Sequence, residues 1–237
     1  IELDNSSSKD KDGLWNYWQE ILDWYIERGA DGFKCEAAYK VPEEMWKQLI
    51  KSSKEKKENI VFIADNLGAF FGEMVDLANA GFDYLFTSFK WWDFTSTWFL
   101  EQHYNLKNMV KLISFPESFE TGRLAKQYNL NEKASKSWYG MSALLNTGAM
   151  IPVGYEYGCT NKLDVIDSYE DDILEQNIDI REYIKKINEI KLKYKIFKQE
   201  TELYFVNSSN PNVLVYKKAT SDKAEESLII VNRNYEE

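Results

Sequence analysis

Cysteine is nearly missing from this 237-residue chain, which has only Cys35 and Cys159, and histidine is scarcer still, with His103 alone. Two thiols are too few for a disulfide framework and favour a reducing compartment, so a cytoplasmic location is expected. His103 stands with Leu100, Tyr104 and Leu106 on a helical pattern, a surface or interhelical position without a nucleophile near it in sequence, which argues against Ser-His-Asp or Cys-His chemistry. The same inventory argues against a His/Cys metal site, and no metal and no cofactor are expected. Positive charge is outnumbered, 29 Lys and Arg against 39 Asp and Glu, for a net charge of −10. Nucleic acid and anionic membrane both require a basic face, so neither is expected as a partner. No apolar run reaches the ~18 residues of a bilayer span, and residues 1–10 do not read as a signal peptide. Carboxylate chemistry remains, in a chain long enough for one sizeable core and an appendage.

Carboxylates are present where that chemistry would need them. Three apolar, strand-like runs each end on an acid: Gly32-Phe33-Lys34-Cys35 before Glu36, Ile60-Val61-Phe62-Ile63-Ala64 before Asp65, and Leu112-Ile113-Ser114-Phe115 before Glu120. A strand buried on both faces reads as a continuous apolar run, and an acid at its end is costly unless hydrogen-bonded or used. In a (β/α)8 barrel, catalytic residues gather at the C-terminal ends of several strands. Glu36, Asp65 and Glu120 therefore read as one site.

The intervening segments alternate as such a barrel requires. Helical periodicity predicts helices over residues 14–28, 41–51, 71–80, 97–106, 132–146 and 180–194, with Gly29 as a stop and Pro42 in a first turn. Strands are expected over 32–35, 60–64, 82–88, 110–115 and 149–155. The charge run at 51–58 reads as a solvated helix end. After residue 197 the character changes to short β-rich runs at 202–206, 213–218 and 227–232 separated by turn chemistry. The domain reading is a partial barrel over 1–197 and the start of a C-terminal β domain over 198–237. Five barrel strands where closure needs eight predict the C-terminal part of a TIM barrel, cut upstream of its fourth strand. An N-terminal half-barrel or an oligomeric partner is then expected to cover the open sheet edge.

Aromatics divide into two groups. Trp15, Trp18, Trp24 and Tyr25 lie at helical spacing, a helix face packed on the barrel. Trp91 and Trp92 follow a strand end in a loop, where an aromatic face can stack on a sugar ring while neighbouring polar groups take its hydroxyls, so one of the two is expected to do so.

These segments resemble glycoside hydrolase family 13, the α-amylase family. Gly32-Phe33-Lys34-Cys35-Glu36-Ala37 is similar to that family's Gly-Phe-Arg-x-Asp-Ala motif at the fourth strand, which carries the nucleophile. Phe62-Ile63-Ala64-Asp65-Asn66-Leu67-Gly68 is similar to the fifth-strand motif ending in the general acid. Pro116-Glu117-Ser118-Phe119-Glu120-Thr121-Gly122-Arg123 is similar to the seventh-strand Ser/Asn-His-Asp motif, whose Asp stabilises the transition state. Ala37-Ala38-Tyr39-Lys40-Val41-Pro42 and Gly154-Tyr155-Glu156-Tyr157-Gly158 are further similar to one bacterial branch. The resemblance implies Glu36 as nucleophile position, Asp65 as general acid/base position and Glu120 as stabiliser position. It also implies substrate-binding positions at Lys34, Tyr39, Phe119 and Arg123 beside Trp91 and Trp92, with an α-glucan or oligosaccharide as substrate.

Every matched polar position is altered: Glu for Asp, Asp for Glu, Glu for Asp, Lys for Arg and Phe for His. A retaining glycosidase needs its two carboxyl groups about 5–5.5 Å apart, and a displacement of about 1 Å can cost on the order of 100-fold in rate. Lys34 lacks the planar fork of Arg. Two functions are therefore expected as alternatives: a retaining α-glucan hydrolase or transferase with impaired turnover, or an inactive amylase-like binding or scaffolding subunit.

Overall fold

The computed structural model describes residues 4–164, 166–173 and 175–236. Among them, five strands form a parallel sheet in chain order, β1 (Gly32–Cys35), β2 (Val61–Ala64), β3 (Tyr84–Phe86), β4 (Lys111–Ser114) and β5 (Gly148–Ala149). Three more, β6 (Glu202–Val206), β7 (Val213–Ala219) and β8 (Glu226–Asn232), form an antiparallel sheet in the order β6-β7-β8. The helices are α1 (Lys11–Glu27), α2 (Glu43–Lys56), α3 (Phe71–Ala80), α4 (Trp98–Leu106), the short α5 (Leu124–Gln127), α6 (Glu132–Leu145) and α7 (Arg181–Lys193). The chain divides into two compact units, residues 1–86 with 108–111, and residues 87–107 with 112–237.

In the first unit, α1 begins where the Asp10 carboxylate accepts from Gly13 N at 3.1 Å, taking one of the donors a helix start leaves unpaired. Its apolar stripe meets α2: Trp15, Met45 and Leu49 are buried, with Leu14, Trp18, Leu22 and Trp46 packed around them. The stripe outruns that contact. Trp24 and Tyr25 are half exposed, and the Arg28 guanidinium lies 3.7 Å over the Trp24 ring, so the expected packing of these two aromatics is corrected. β1 pairs with β2 from Gly32↔Val61 to Cys35↔Ala64, and β2 with β3 through Ile63↔Tyr84. Close approach requires the glycine, because a Cβ on Gly32 would lie 2.6 Å from the Val61 carbonyl oxygen. Gly81, at φ +99, stops α3 in the left-handed conformation that glycine adopts freely.

The second unit has an aromatic core in which Phe89, Trp92, Phe94, Phe99, Trp138 and Tyr216 are all buried. The strand expected over 149–155 shortens to Gly148–Ala149, paired with Ile113 and Ser114. Beyond it, Pro152 lacks a ladder donor and Gly154 turns at φ +85 into a short 3-10 segment, Tyr155–Tyr157. The carbonyls that end α6 are capped by two buried amines. Lys191 Nζ donates to Asn146 O at 2.7 Å and to Ala143 O, while Lys218 Nζ donates to Leu144 O at 3.0 Å and Leu145 O at 2.8 Å. His103 is buried here, its Nε2 2.8 Å from Thr201 O and its Nδ1 2.9 Å from Asn146 Nδ2. Burial outweighs its partners and lowers its pKa, in keeping with a structural residue.

Candidate active site

Alternate residues of a strand share a face, so Lys34 on β1 places its amine beside Glu36, and the in-register neighbour β2 delivers Asp65 from the other side. The pairing continues past the strand ends: Asp65 N donates to Cys35 O at 2.9 Å, and Ala38 N donates to Asp65 O at 3.0 Å. Ala37 makes the turn at φ +45, an uncommon conformation for a residue with a side chain. Lys34 Nζ donates to Asp65 Oδ2 at 2.6 Å and also to Glu36 Oε1. Asp65 is buried, and its second oxygen accepts from Leu67 N at 3.2 Å; the Glu36 side chain is 57% exposed.

Burial works against the Lys34 charge, but the hydrogen bonds it donates to Asp65 and Glu36 outweigh it and hold the ammonium above the usual lysine range. Cys35 points the other way on the strand, and burial pushes its thiol up to about 12, which removes it as a nucleophile. Two carboxylates sharing one ammonium are separated by no more than two hydrogen-bond lengths, about 6 Å.

Tyr39 lies in the 3-10 turn Ala38–Lys40 of the same unit, its hydroxyl 3.2 Å from where a Cβ on Gly68 would stand. Asn66, which sequence reasoning passed over, is buried and bonds the β3 backbone twice, Nδ2 to Phe86 O and Phe86 N to Oδ1, both at 2.9 Å. It substitutes for ladder bonds at the sheet's end and so fixes the residue next to Asp65.

The remaining sequence-derived positions belong to the second unit. Glu120 is exposed and Phe119 partly buried, in a turn where Ser118 N donates to Thr121 Oγ1 at 2.9 Å and Glu120 N to Ser118 Oγ at 3.3 Å. Arg123 corrects its assignment as a substrate contact. Its guanidinium is buried and committed to Glu117 Oε1 at 2.9 Å and to Val153 O at 2.8 Å. The other oxygen of Glu117 accepts from Leu124 N, so this pair shapes the loop that carries Glu120. Glu117 escaped the sequence reading although it follows a strand end by the same rule that selected the other acids.

The two tryptophans separate clearly. Trp91 is 55% exposed and meets Phe115 edge-on at 5.9 Å. Trp92 is a correction: it is 2% exposed, its face is stacked on Phe99 at 4.3 Å and 22°, and its Nε1 donates to Ser96 O at 2.8 Å. With one face on Phe99 and the rest of the ring enclosed by Phe94 and Tyr216, Trp92 offers no face to a sugar. Among the described residues, no group of three or more His, Cys, Asp or Glu side chains is placed to hold a metal ion, and no helix is long and apolar enough to cross a membrane.

These elements define the C-terminal part of a (β/α)8 barrel followed by a small antiparallel β sheet. The resemblance to the α-amylase family, glycoside hydrolase family 13, is borne out by comparison with known proteins. No family model matches the chain. An alpha-1,4-glucan:maltose-1-phosphate maltosyltransferase of Burkholderia pseudomallei is 31% identical over 157 residues, 64% of this chain and 14% of that protein. The α-amylase from H. orenii superposes with a TM-score of 0.77 at 13% identity, covering 95% of this chain and 56% of the other. The α-amylase of Geobacillus thermoleovorans, solved with acarbose, gives 0.74 at 16% identity, covering 95% and 54%. The chain thus spans about half the length of these solved enzymes and a smaller share of the maltosyltransferase.

Proposed function

We propose that this chain carries the carboxylate site of an α-glucan-active enzyme of the retaining class, a hydrolase or glucan transferase, in which altered side-chain reach slows turnover. Glu36 attacks the anomeric carbon, Asp65 protonates the departing glycosidic oxygen and later deprotonates the acceptor, and Glu120 stabilises the oxocarbenium-like transition state. Tyr39, Phe119 and exposed Trp91 contact the sugar, and Lys34 orients the carboxylates. The observation that carries this reading is the junction of Glu36 and Asp65 on Lys34 at the ends of neighbouring parallel strands. The maltosyltransferase and α-amylase names of the relatives support an α-glucan substrate. Two free cysteines support a reducing, cytoplasmic setting. The partly exposed β1 edge supports a further half-barrel or a second copy as a partner.

One observation favours the second reading, an inactive glucan-binding or scaffolding subunit. Both Asp65 oxygens already accept hydrogen bonds, from Lys34 and from Leu67 N, so the carboxylate is engaged by the protein where a glycosidic oxygen would have to meet it. The test is incubation of the full-length protein with maltoheptaose, alone and with maltose 1-phosphate. Chain-length redistribution or phosphate release that is abolished in Glu36→Gln supports the enzyme; glucan binding without either supports the second reading. Neither binding nor turnover overturns both.

A further inference from the structure

The loop of residues 92–94, the segment at 128–130 and the chain after β8 enclose a cleft of about 310 Å³ in the second unit, lined by Asp93, Phe94, Tyr128, Trp138, Arg233 and Tyr235. We propose that this cleft is a separate sugar-binding site that takes a glucosyl unit of an α-glucan, independent of the carboxylates at Glu36 and Asp65. The identity of the sugar rests on the α-glucan reading above.

Its chemistry is that of a ligand with adjacent hydroxyls and an apolar face. Tyr128 and Tyr235 meet edge to face at 5.6 Å and 86°, leaving partly exposed aromatic surface on the wall. The Asp93 carboxylate is preorganised, one oxygen accepting from Thr95 N at 2.8 Å and Ser96 N at 2.7 Å, the other from Ser96 Oγ at 2.6 Å. The hydrogen bonds from Ser96 and Thr95 hold it at about 2, so it remains an anionic acceptor with lone pairs to spare. Opposite in charge, Arg233 is exposed and lines the same cleft. Trp138, 4% exposed, has an indole N–H without an acceptor, a buried donor of the kind folded proteins rarely leave unused. A hydroxyl both accepts from Arg233 or the indole and donates to Asp93, whereas a simple anion would be repelled by Asp93.

The backbone around the cleft is held in costly conformations. Phe94 at φ +67, Asn129 at φ +50 and Leu130 at φ +61 are three of the five non-glycine residues with positive φ among those described. Strain of this kind concentrates at ligand sites because the surrounding structure must maintain it.

The test is an indole 15N–1H titration of the full-length protein and of its Glu36→Gln variant with maltotriose. The Trp138 Nε1–H signal is expected to move in both, and Arg233→Ala, a surface change, is expected to weaken that response by about tenfold or more. A stationary Trp138 signal while others move overturns this site and leaves the α-glucan reading standing. An absence of any response overturns both. A Trp138 response to glycine and not to maltotriose also overturns the proposal, in favour of a zwitterion.

Discussion

Lys34 and Asp65 are 31 residues apart in sequence and 2.6 Å apart in space, joined across the parallel β1–β2 pair. With Glu36 on the same ammonium, the relationship makes the two strand-end carboxylates one electrostatic unit. Both acids keep their charge chemistry after substitution; what changes is reach, one arm longer by a methylene and the other shorter.

If reach is the defect, restoring it restores rate. The combined variant Lys34→Arg, Glu36→Asp, Asp65→Glu, Phe119→His and Glu120→Asp is expected to raise glucan cleavage or transfer by roughly 100-fold or more over the native chain. Single reversals are expected to change little, because residues that act as a unit are not additive. Initial rates on maltoheptaose decide it: native rates equal to the combined variant's refute the impairment.

The close pairing of β1 and β2 depends on Gly32, where a Cβ would stand 2.6 Å from a backbone oxygen that cannot rotate away. Gly32→Ala is expected to cost about 1–3 kcal/mol in denaturant unfolding. Gly72→Ala is the control. Nothing lies within 4 Å of its would-be Cβ, and near the start of α3 the change is expected to be neutral or to stabilise by up to about 1 kcal/mol.

Lys218 carries a pH dependence. Burial lowers its amine to about 7 against the pull of Glu200, while Lys191, lowered to about 8, adds repulsion. His103 and the Phe197 ring complete its surroundings. Below pH about 7 the amine is protonated in the folded and unfolded chains alike, and stability bears the full cost of a buried charge. Between about 7 and the unfolded value of 10.5, the unfolded chain binds the proton and the folded chain does not, so stability rises with pH. The rise from pH 7 to 9 is expected to be on the order of 2 kcal/mol, read by urea unfolding, and to flatten in Lys218→Met. An equal rise in that variant would assign it to another group.

The elements and their acids were legible in the sequence because local periodicity and a terminal carboxylate are both read within a few residues. β1 and α3 fall where the pattern places them, Gly32–Cys35 and Phe71–Ala80, and the three β-rich runs after residue 197 are the observed β6, β7 and β8. Lys34 beside Glu36 also followed from strand alternation alone.

What the sequence could not decide was which of two like residues faces inward and which distant groups pair. Trp91 and Trp92 are neighbours of one type, yet one is solvated and the other stacked on Phe99, and only the packing of α4 against the loop chooses between them. Arg123 was expected to bind substrate and is instead buried against Glu117, and nothing in the β-rich run 213–218 marks Lys218 as the residue whose amine takes the carbonyls at the end of α6. Composition and hydrophobic period are short-range quantities and determined the strands, helices and candidate acids. Burial and partner choice depend on contacts between segments far apart in the chain, and those were decided by the tertiary structure alone.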